Sequence, residues 1–523
     1  MKSSNPPVIQ LSGVGSILPE PFQSDSMNGV ELADDIFETS DSFSWKQASS
    51  ESQANQSRRR TTKTSDGRQS VAHLRYLRWF QNQQPEPTTL EILSTGYQDY
   101  LQAPLQPLAD NLESVTYEVF EQDPVKYNLY EKAICNALID WRQEGKTASG
   151  SGGRVVVAVV GAGRGPLVAR ALNASATTGV PIDLWALEKN QNAFVMLERH
   201  KANTWQNSVQ LVHSDMRDWK GPWRYPAEHQ EVHVDGDEVG PSIVSYPIDI
   251  VISELLGSFG DNELSPECLD HVLPLLNPIH GLSIPESYTA LLTPIATPKL
   301  HSDIASIAVH DPGTFSAASV VCLQKFDYLS AKSHSSVKGP DIIQTPSSIE
   351  DSPPSHEYVP SKEDNGENRP YVVKPAQPIV LQAWSFHHGP SSPLNKTSTN
   401  QQNARHARLS FELRQRGVCH GLAGYFESVL YPGVELSTNP INQHEKSPDM
   451  ISWFPIFFPL KTPLYAPDFS TLVVTMFRAT DNRKVWYEWM IEAWSNHPGT
   501  TGGTGNRLGV TDMMSSKEKG CLM

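Results

Sequence analysis

Glu254 and Glu263 lie nine positions apart, on either side of a loop that contains Gly257 and Gly260. These glycines allow the loop to fold back, so that both carboxylates point into one pocket. Two carboxylates directed at one point repel each other and raise a pKa unless a cation lies between them. Guanidinium is the cation with the matching planar, forked shape. A single acidic pair is more often part of an acidic surface loop, so the guanidinium hypothesis depends on the neighbouring motifs.

Three glycines, Gly161, Gly163 and Gly165, directly follow the apolar run 155–160. Such a turn lets the backbone approach a ligand at the carboxyl edge of the first strand, where open α/β sheets bind ligands. The spacing is G-x-G-x-G and differs from the G-x-G-x-x-G of dinucleotide-binding proteins, and no Lys-Ser or Lys-Thr pair follows as a phosphate loop requires. On its own the motif is weak, because glycine-rich turns after strands are common.

Glu188, Asp215 and Met216 follow the next two apolar runs. An acid at the end of the second strand is suited to the two hydroxyls of a ribose, and Asp215 with Met216 is suited to an adenine ring. Each acid is also compatible with a solvated strand end. The glycine turn, Glu188 and Asp215–Met216 follow three successive strands and together favour a nucleoside-containing cofactor. Because the chain lacks a loop of the kind that binds a pyrophosphate, S-adenosyl-L-methionine is a better candidate than a dinucleotide. An NAD-dependent dehydrogenase is the alternative that the glycine spacing disfavours.

The elements that carry these residues form two patterns. Apolar runs at 155–160, 182–187, 209–212 and 248–252 alternate with helical stretches, which is typical of a parallel α/β sheet. A helix face with Tyr130 and Trp141 precedes them. From about residue 284 strand-like segments take over and indicate an appended β domain.

The domain boundaries follow from polar tracts. We predict a disordered linker within 1–70, an α/β domain over 71–283, a β domain over 284–495 with disordered insertions near 330–370 and 389–405, and a C-terminal tail over 496–523. A further polar stretch, 222–247, is predicted to be a surface insertion.

Composition excludes several classes of protein. The chain has 523 residues and a formal net charge of −16, which argues against a protein whose main role is to bind nucleic acid directly. Five scattered cysteines indicate neither a disulfide framework nor a metal site. No apolar window approaches a membrane span, and the first residues lack a signal-peptide pattern. We expect a soluble intracellular protein with no membrane partner.

Taken together, the motifs resemble those of one family. Segments 161–166, 188–190, 214–216 and 253–267 resemble the cofactor motifs and double-glutamate loop of the protein arginine methyltransferases. Segments 111–127, 421–431, 452–455 and 485–489 are similar to the type II, symmetric-dimethylating branch. The similarity covers most of 74–494 apart from the polar insertions. It implies a Rossmann-like class I methyltransferase domain followed by an antiparallel β-barrel substrate domain.

The resemblance implies cofactor contacts residue by residue. Tyr117, Lys126 and Tyr127 are expected at the methionine part of S-adenosyl-L-methionine, with Lys126 opposite its carboxylate. Glu188 is expected at the ribose, and the residues expected along the adenine and the glycine turn are Asp215, Met216, Gly161, Gly163 and Gly165.

The resemblance also implies substrate contacts. Glu254 and Glu263 are expected to clamp the guanidinium, and Trp453, next to Ser452, is expected to stack on it, as an aromatic face favours a cation. Phe120 is at the position associated with symmetric dimethylation. The alternative for Trp453 and Phe120 is ordinary packing.

The family resemblance further implies partners. Relatives carry a TIM barrel before the catalytic domain, and in animals this barrel binds a WD-repeat propeller. Residues 7–13 resemble the last strand of the barrel, so we expect a fragment or a truncated gene model. A WD-repeat partner is therefore doubtful for this chain. The substrates that the resemblance implies are histone tails and Gly/Arg-rich RNA-processing proteins such as Sm proteins. The expected location of the protein is the cytoplasm and nucleus, and its expected assembly is a homo-oligomer. A catalytically weak scaffold in cell-cycle or morphogenesis signalling is the alternative.

Overall fold

The computed structural model describes residues 66–83, 92, 100–224, 244–322, 326–332, 377–389, 400–481, 483–495 and 505–523. The chain divides into two compact units, one comprising 1–86 with 349–375 and the other 87–348 with 376–523. In the first unit the structure describes one helix, α1, Asp66–Asn82. Among the described helices, none is both long and apolar enough to cross a membrane. All elements discussed below belong to the second unit.

Seven further α-helices are described in the second unit. They are α2 Ser114–Glu121, α3 Pro124–Gln143, α4 Pro166–Thr178, α5 Gln191–Asn203, α6 Ser265–Val272, α7 Pro298–Ala308 and α8 Gln443–Lys446. The longest, α3, begins at Asp123, whose side chain caps it, and buries Tyr130, Ile134, Leu138 and Trp141 at steps of three and four residues. This confirms the helix face predicted from the sequence.

A five-stranded sheet forms the α/β part, in the order β4-β3-β2-β7-β8 with every pair parallel. Its strands are β2 Val155–Val160, β3 Ile182–Glu188, β4 Val209–His213, β7 Ile250–Ser253 and β8 Leu282–Ile284. All six residues of β2 are buried, as expected for a central strand covered by helices on both faces. The predicted parallel sheet is confirmed, with β8 as an additional edge strand. Within the insertion at 222–247, the described residues form a two-stranded ladder of β5 Trp223–Arg224 and β6 Val244–Ser245.

Two antiparallel sheets form the β part. The strands of the first are β1 Leu101–Gln102, β9 Ser287–Ala296, β10 Ser319–Val321, β11 Asp327–Tyr328, β12 Leu381–His387, β14 Gly417–Tyr431, β15 Val434–Ser437 and β16 Ile456–Ala466. Those of the second are β13 Arg405–Leu413, β17 Ser470–Thr480, β18 Lys484–Ser495, β19 Arg507–Val510, β20 Met514–Ser515 and β21 Cys521–Leu522. The sheets pack through aromatic rings such as Phe458 and Trp489, whose centroids are 5.4 Å apart. The predicted appended β domain is confirmed.

Three boundaries differ from the sequence prediction. Residues 505–523, expected in a separate tail, supply β19, β20 and β21, because they pair with β18 and continue its sheet. Residues 400–405, expected in a disordered insertion, are ordered because Asn400 and Asn403 donate hydrogen bonds to Glu267 and Asp270. Similarly, Ser330 is buried and donates to the carbonyl of Glu412 at 2.7 Å.

Other predicted segments lie partly or wholly outside the described residues. These are 1–65, including the segment 7–13, and 225–243, 333–376 and 390–399. Residues 66–70, expected in the linker, begin α1, because this proline-free stretch continues into the rest of the helix. Helix α7 was not predicted, since its short apolar face lies between two strands.

A buried arginine joins the double-glutamate loop and α6 to the second antiparallel sheet. Arg478 of β17 donates to both carboxylate oxygens of Glu267, each at 2.8 Å, and to Asp261 at 3.2 Å. Tyr487 and Trp384 also donate to Asp261. Burial alone would raise the pKa of Glu267, but Arg478 outweighs burial and holds that pKa below its ordinary value. At Asp261 burial prevails over Arg478 and the hydrogen bonds and raises the pKa. One arginine therefore offsets the charge of Glu267 and only part of the cost of burying Asp261.

We expect Arg478→Ala to lower the free energy of unfolding by about 3–5 kcal/mol, because it leaves two buried acids without a cation. Urea unfolding followed by tryptophan fluorescence measures the change. The control is Lys519→Ala, which removes an exposed ion pair with Asp311 and should shift the midpoint very little. Equal midpoints for the two variants would contradict a structural role for the buried cluster.

Candidate active site

A cavity of about 740 Å³ opens at the carboxyl ends of the parallel strands. The segments after β2, β3, β4 and β7 supply its floor, α2 and α3 one wall, and residues 451–454 another. Thirteen of the fourteen sequence-predicted site residues line it. They are Tyr117, Phe120, Lys126, Tyr127, Gly161, Gly163, Glu188, Asp215, Met216, Glu254, Glu263, Ser452 and Trp453.

Gly165 is the exception and does not line the cavity. Its φ is +99°, and a Cβ atom at this position would lie 2.7 Å from the Trp205 ring. The structure therefore gives Gly165 a packing role, and the cofactor contact expected of it stays a prediction. The residue has to be glycine because the turn before α4 passes close to that ring.

The loop between the two glutamates is folded as the spacing predicts. Gly257 and Gly260 exchange backbone hydrogen bonds of 3.2 and 2.8 Å, and Gly260 has a φ of +81°, a conformation that favours glycine. The Tyr130 hydroxyl donates to the carbonyl of Ser253 at 3.0 Å and fixes the strand end that precedes Glu254. Both glutamates consequently reach the same cavity.

Glu263 is enclosed by protein except where it faces the cavity. Within the described part of the chain its carboxyl group makes no hydrogen bond or ion pair. Burial, together with the negative charge of Glu254, raises its pKa well above the ordinary value, and Lys126 offsets only part of this effect. The pair therefore favours binding of a further cation.

Among the described residues, the Lys126 ammonium is the cation beside Glu254. Its Nζ atom lies 3.5 Å from a Glu254 carboxylate oxygen and is almost completely buried. The same atom lies 4.9 Å from the ring centroids of Tyr127 and Trp453 and 5.6 Å from that of Phe120. Three aromatic rings and a carboxylate thus surround one positive charge. We call this arrangement of Phe120, Tyr127, Trp453 and Glu254 the cation cage.

Trp453 is held in the cation cage by the double-glutamate loop. Its indole Nε1 donates to the carbonyl of Leu256 at 2.7 Å, and its ring packs edge-on against Phe426 with centroids 5.1 Å apart. The backbone of Trp453 has a φ of +65°, which is disfavoured for a residue with a Cβ atom. Neighbouring contacts must therefore maintain this conformation.

The other end of the cavity is polar and centred on Glu188. Its two carboxylate oxygens accept hydrogen bonds from the backbone N–H groups of Gly163 and Asn190, both at 2.7 Å. Burial raises the pKa of Glu188 despite these bonds. The Asn190 amide donates to the Tyr117 hydroxyl at 3.2 Å, and burial, followed by the charge of Glu188, raises the pKa of Tyr117 to about 12.

Asp215 and Met216 lie along the same cavity after β4. Arg217 donates to both oxygens of Asp215, at 3.0 and 2.8 Å. Burial alone would raise the pKa of Asp215, but these hydrogen bonds outweigh it and lower the pKa. Met216 is buried, with its methyl group near Gly161. The site thus combines an acid with an apolar surface.

Comparison with known proteins yields two family matches within this chain. The PRMT5 arginine-N-methyltransferase model matches residues 88–284, and the PRMT5 oligomerisation domain model matches residues 345–522. The chain belongs to the PRMT5 family. The first match covers the cavity floor and the second covers Trp453.

Individual relatives of the PRMT5 family agree with this assignment. The chain is 39% identical to protein arginine N-methyltransferase skb1 of Schizosaccharomyces pombe over 80% of its length. It is 36% identical to protein arginine N-methyltransferase 5 of Xenopus laevis, also over 80%. These alignments cover 55% and 54% of the two relatives, so the chain spans about half the length of the curated relatives it matches. Among solved structures, the Trypanosoma brucei PRMT1 enzyme-prozyme complex with AdoHcy aligns with 77% of this chain and 98% of that chain at 13% identity and a TM-score of 0.46.

The residues of this PRMT5-family chain suit the cofactor that the resemblance implies. A Cβ atom at Gly163 would lie 3.2 Å from the Tyr117 ring, so only glycine leaves this gap open. Each Glu188 oxygen retains a lone pair for a hydroxyl group, and Lys126 supplies a positive charge at the opposite end. These features fit the ribose and the methionine carboxylate of S-adenosyl-L-methionine.

Sequence reasoning missed the residues that position this site. Arg164, in the glycine turn, donates to Glu118 of α2 at 2.9 Å and contacts Glu121 at 3.2 Å, which ties the helix with Tyr117 and Phe120 to the turn. Asp123 caps α3 and was detectable only as an Asp before a Pro. Such contacts link distant segments, so no local spacing reveals them.

We expect Glu263→Gln to stabilise the protein at pH 8 and to do so much less near pH 4. An unfolded glutamate ionises at about pH 4.3, whereas folding raises the pKa of Glu263. The folded state therefore retains a proton that the unfolded chain releases, and stability falls as pH rises from that value through the folded-state pKa. Glutamine removes this penalty.

Thermal unfolding midpoints across this pH range test the prediction. The matched acid-to-amide control is Glu445→Gln, since Glu445 is exposed and should show no such pH-dependent gain. A Glu263→Gln effect that is constant with pH would contradict the raised pKa.

Proposed function

We propose that this chain is an S-adenosyl-L-methionine-dependent protein arginine N-methyltransferase. The observation that carries the proposal is the cation cage beside Glu263, in the same cavity as Glu188. An aromatic and acidic recess selects a cation, and two carboxylates suit the forked N–H groups of guanidinium. Membership of the PRMT5 family gives independent support.

Glu254 and Glu263 would bind and activate the arginine side chain. A guanidinium group has a pKa above about 12, and its lone pairs are delocalised, so it is a poor nucleophile. Two carboxylates draw positive charge towards the nitrogens they contact, orient the remaining nitrogen, and offer a base for the proton that it loses. S-adenosyl-L-methionine, when bound, supplies an electrophilic methyl group. Alignment of the two reactants lowers the barrier, by roughly 7–11 kcal/mol in well-oriented systems.

We further propose type II specificity, with ω-monomethylarginine and then symmetric ω-dimethylarginine as products. Phe120 supports it, because this ring is part of the cation cage and lies 5.6 Å from the charge at its centre. A bulky ring beside the acceptor nitrogens disfavours the arrangement in which one nitrogen receives both methyl groups. The names of the matched PRMT5 relatives also support this proposal.

The proposed substrates are histone tails and Gly/Arg-rich proteins such as Sm proteins, and the proposed sites of action are the cytoplasm and nucleus. A net charge of −16 favours basic partners. The match to an oligomerisation domain over 345–522 supports a homo-oligomer. These assignments rest on the family resemblance.

We expect the purified chain to methylate a Gly/Arg-rich histone H4 tail peptide and Glu254→Gln to reduce the rate by on the order of 10²–10³-fold or more, since a charge that acts at the reacting nitrogen is lost. Mass spectrometry with labelled S-adenosyl-L-methionine resolves monomethyl, symmetric and asymmetric products. The control Glu445→Gln should retain activity. Cofactor binding without any product would contradict the enzymatic proposal and favour a scaffold.

Lys126 and a substrate guanidinium would compete for the same place. The Lys126 ammonium already contacts Glu254 and the three rings of the cation cage. Two positive charges at this distance repel each other. Lys126 must therefore turn away before arginine is clamped, and the carboxylate expected from the cofactor offers it another partner. We infer that the cofactor binds before the arginine substrate.

We expect Lys126→Gln to increase the affinity of the cofactor-free protein for an arginine peptide by about ten-fold, because a competing cation is removed from the cage. Fluorescence anisotropy of a labelled peptide measures this change. The matched control is Lys146→Gln, since Lys146 also lies over a ring, Trp141, at 5.7 Å and pairs with an acid, Glu144, outside the cavity. Weaker peptide binding by Lys126→Gln would contradict the competition.

A further inference from the structure

One buried carboxylate connects the cofactor side of the cavity to its substrate side. Asp123 is fully buried, and its Oδ1 atom accepts hydrogen bonds from the backbone N–H groups of Val125 at 3.0 Å and Lys126 at 3.1 Å. Its Oδ2 atom accepts from the backbone N–H groups of Ile451 at 3.1 Å and Ser452 at 2.8 Å. All four donors are main-chain groups, so the contact fixes the path of two backbone segments.

The two segments that Asp123 joins carry opposite parts of the site. On one side, the first turn of α3 bears Lys126 and Tyr127. On the other, Ser452 directly precedes Trp453, whose left-handed backbone needs support from its neighbours. The bond at Ser452 holds this backbone from the N-terminal side, while the indole bond to Leu256 holds the ring.

We propose that Asp123 is a positioning residue that sets the place of Trp453 relative to Lys126 and thereby controls affinity for the arginine substrate. The inference rests on the proposed function. Asp123 is not among the residues that line the cavity, so it acts through the backbone of residues 451 and 452. A carboxylate is required, because only two acceptor oxygens can serve two pairs of donors on opposite sides.

The substitution Asp123→Asn separates the two halves of this contact. Asparagine is among the best N-cap residues, so its oxygen can retain the bonds to the first turn of α3. Its NH₂ group then faces the N–H groups of Ile451 and Ser452 and cannot accept from them. The variant should therefore keep the helix cap and release the segment that leads to Trp453.

Hydrogen exchange tests the contact itself, whatever the activity of the protein. In Asp123→Asn the amides of Ile451 and Ser452 should exchange at least about ten-fold faster than in the parent, as expected after loss of buried charge-assisted hydrogen bonds. The amides of Val125 and Lys126 should remain protected. Unchanged protection at 451 and 452, or loss of protection only at 125 and 126, would overturn the proposal.

Binding measurements test the functional consequence. Calorimetry should show affinity for S-adenosyl-L-methionine within about two-fold of the parent, whereas KM and Kd for the H4 tail peptide rise about ten-fold. A merely structural defect would weaken both ligands together, and that result would overturn the inference. If the parent itself binds the peptide but transfers no methyl group, the proposed reaction fails while the peptide Kd still decides the role of Asp123.

Asp249→Asn is the matched control. Asp249 is also fully buried and accepts from the backbone N–H groups of Ser149 at 2.8 Å and Val156 at 2.9 Å, and from the Asn277 amide at 2.9 Å. It lies just before β7, at the opposite edge of the parallel sheet from the cavity. The control Asp249→Asn should lower the unfolding midpoint, and it should not raise the Kd for the peptide more than the Kd for S-adenosyl-L-methionine. An equal rise in peptide Kd for both variants would overturn the specific role of Asp123.

Discussion

The enclosed carboxylates of Glu254 and Glu263 impose the constraint around which the site is built. Two acids in one recess are unfavourable unless a cation accompanies them. Among the residues that the structure describes, the cation beside this pair is the Lys126 ammonium, which contacts Glu254. Burial, and after it the negative charge of Glu254, raises the pKa of Glu263. In the free protein the two carboxylates together carry more negative charge than the Lys126 ammonium neutralises. A second cation would neutralise the remainder, so the arrangement favours cation binding at the expense of stability.

The loop that carries Glu263 is anchored by a neighbouring buried acid. Asp261 and Glu263 are two residues apart, yet their side chains have opposite surroundings. Asp261 is fully buried and paired with Arg478, Tyr487 and Trp384, whereas Glu263 faces the cavity without a partner among the described residues. Because Arg478 also binds Glu267 of α6, the loop is anchored on both sides of Glu263. A buried ion-paired and hydrogen-bonded cluster thus anchors the loop that carries Glu263, an acid without a partner among the described residues.

The sequence was informative where local spacing determines position. The apolar runs predicted the parallel strands, and the strand ends predicted which groups share a cavity, because the carboxyl ends of parallel strands meet at one edge. The packing role of Gly165 was not predictable, because the need for glycine there comes from Trp205, a residue forty positions away. The strands in residues 505–523 were not predictable, because they are short, carry no period of their own and form by pairing with β18. The long-range roles of Asp123 and Arg478 were missed for the same reason, because Ile451 and Glu267, the partners in these contacts, lie hundreds of residues away in the chain.

Selectivity in this cavity has to come from the relative placement of its parts. The cation cage already accepts a lysine ammonium, so its aromatic rings and single carboxylate do not by themselves distinguish lysine from arginine. A guanidinium differs in presenting several N–H donors in one plane, and only two carboxylates at the correct separation can use them. That separation depends on Tyr130 of α3, which donates to the carbonyl of Ser253 at the end of β7, and on Arg478, which binds Asp261 of the loop. The facing indole depends on Asp123 and Leu256. Under the proposed function, recognition of arginine would therefore depend on the scaffold that holds the charged groups, and changes outside the cavity would alter it without removing any group that touches the substrate.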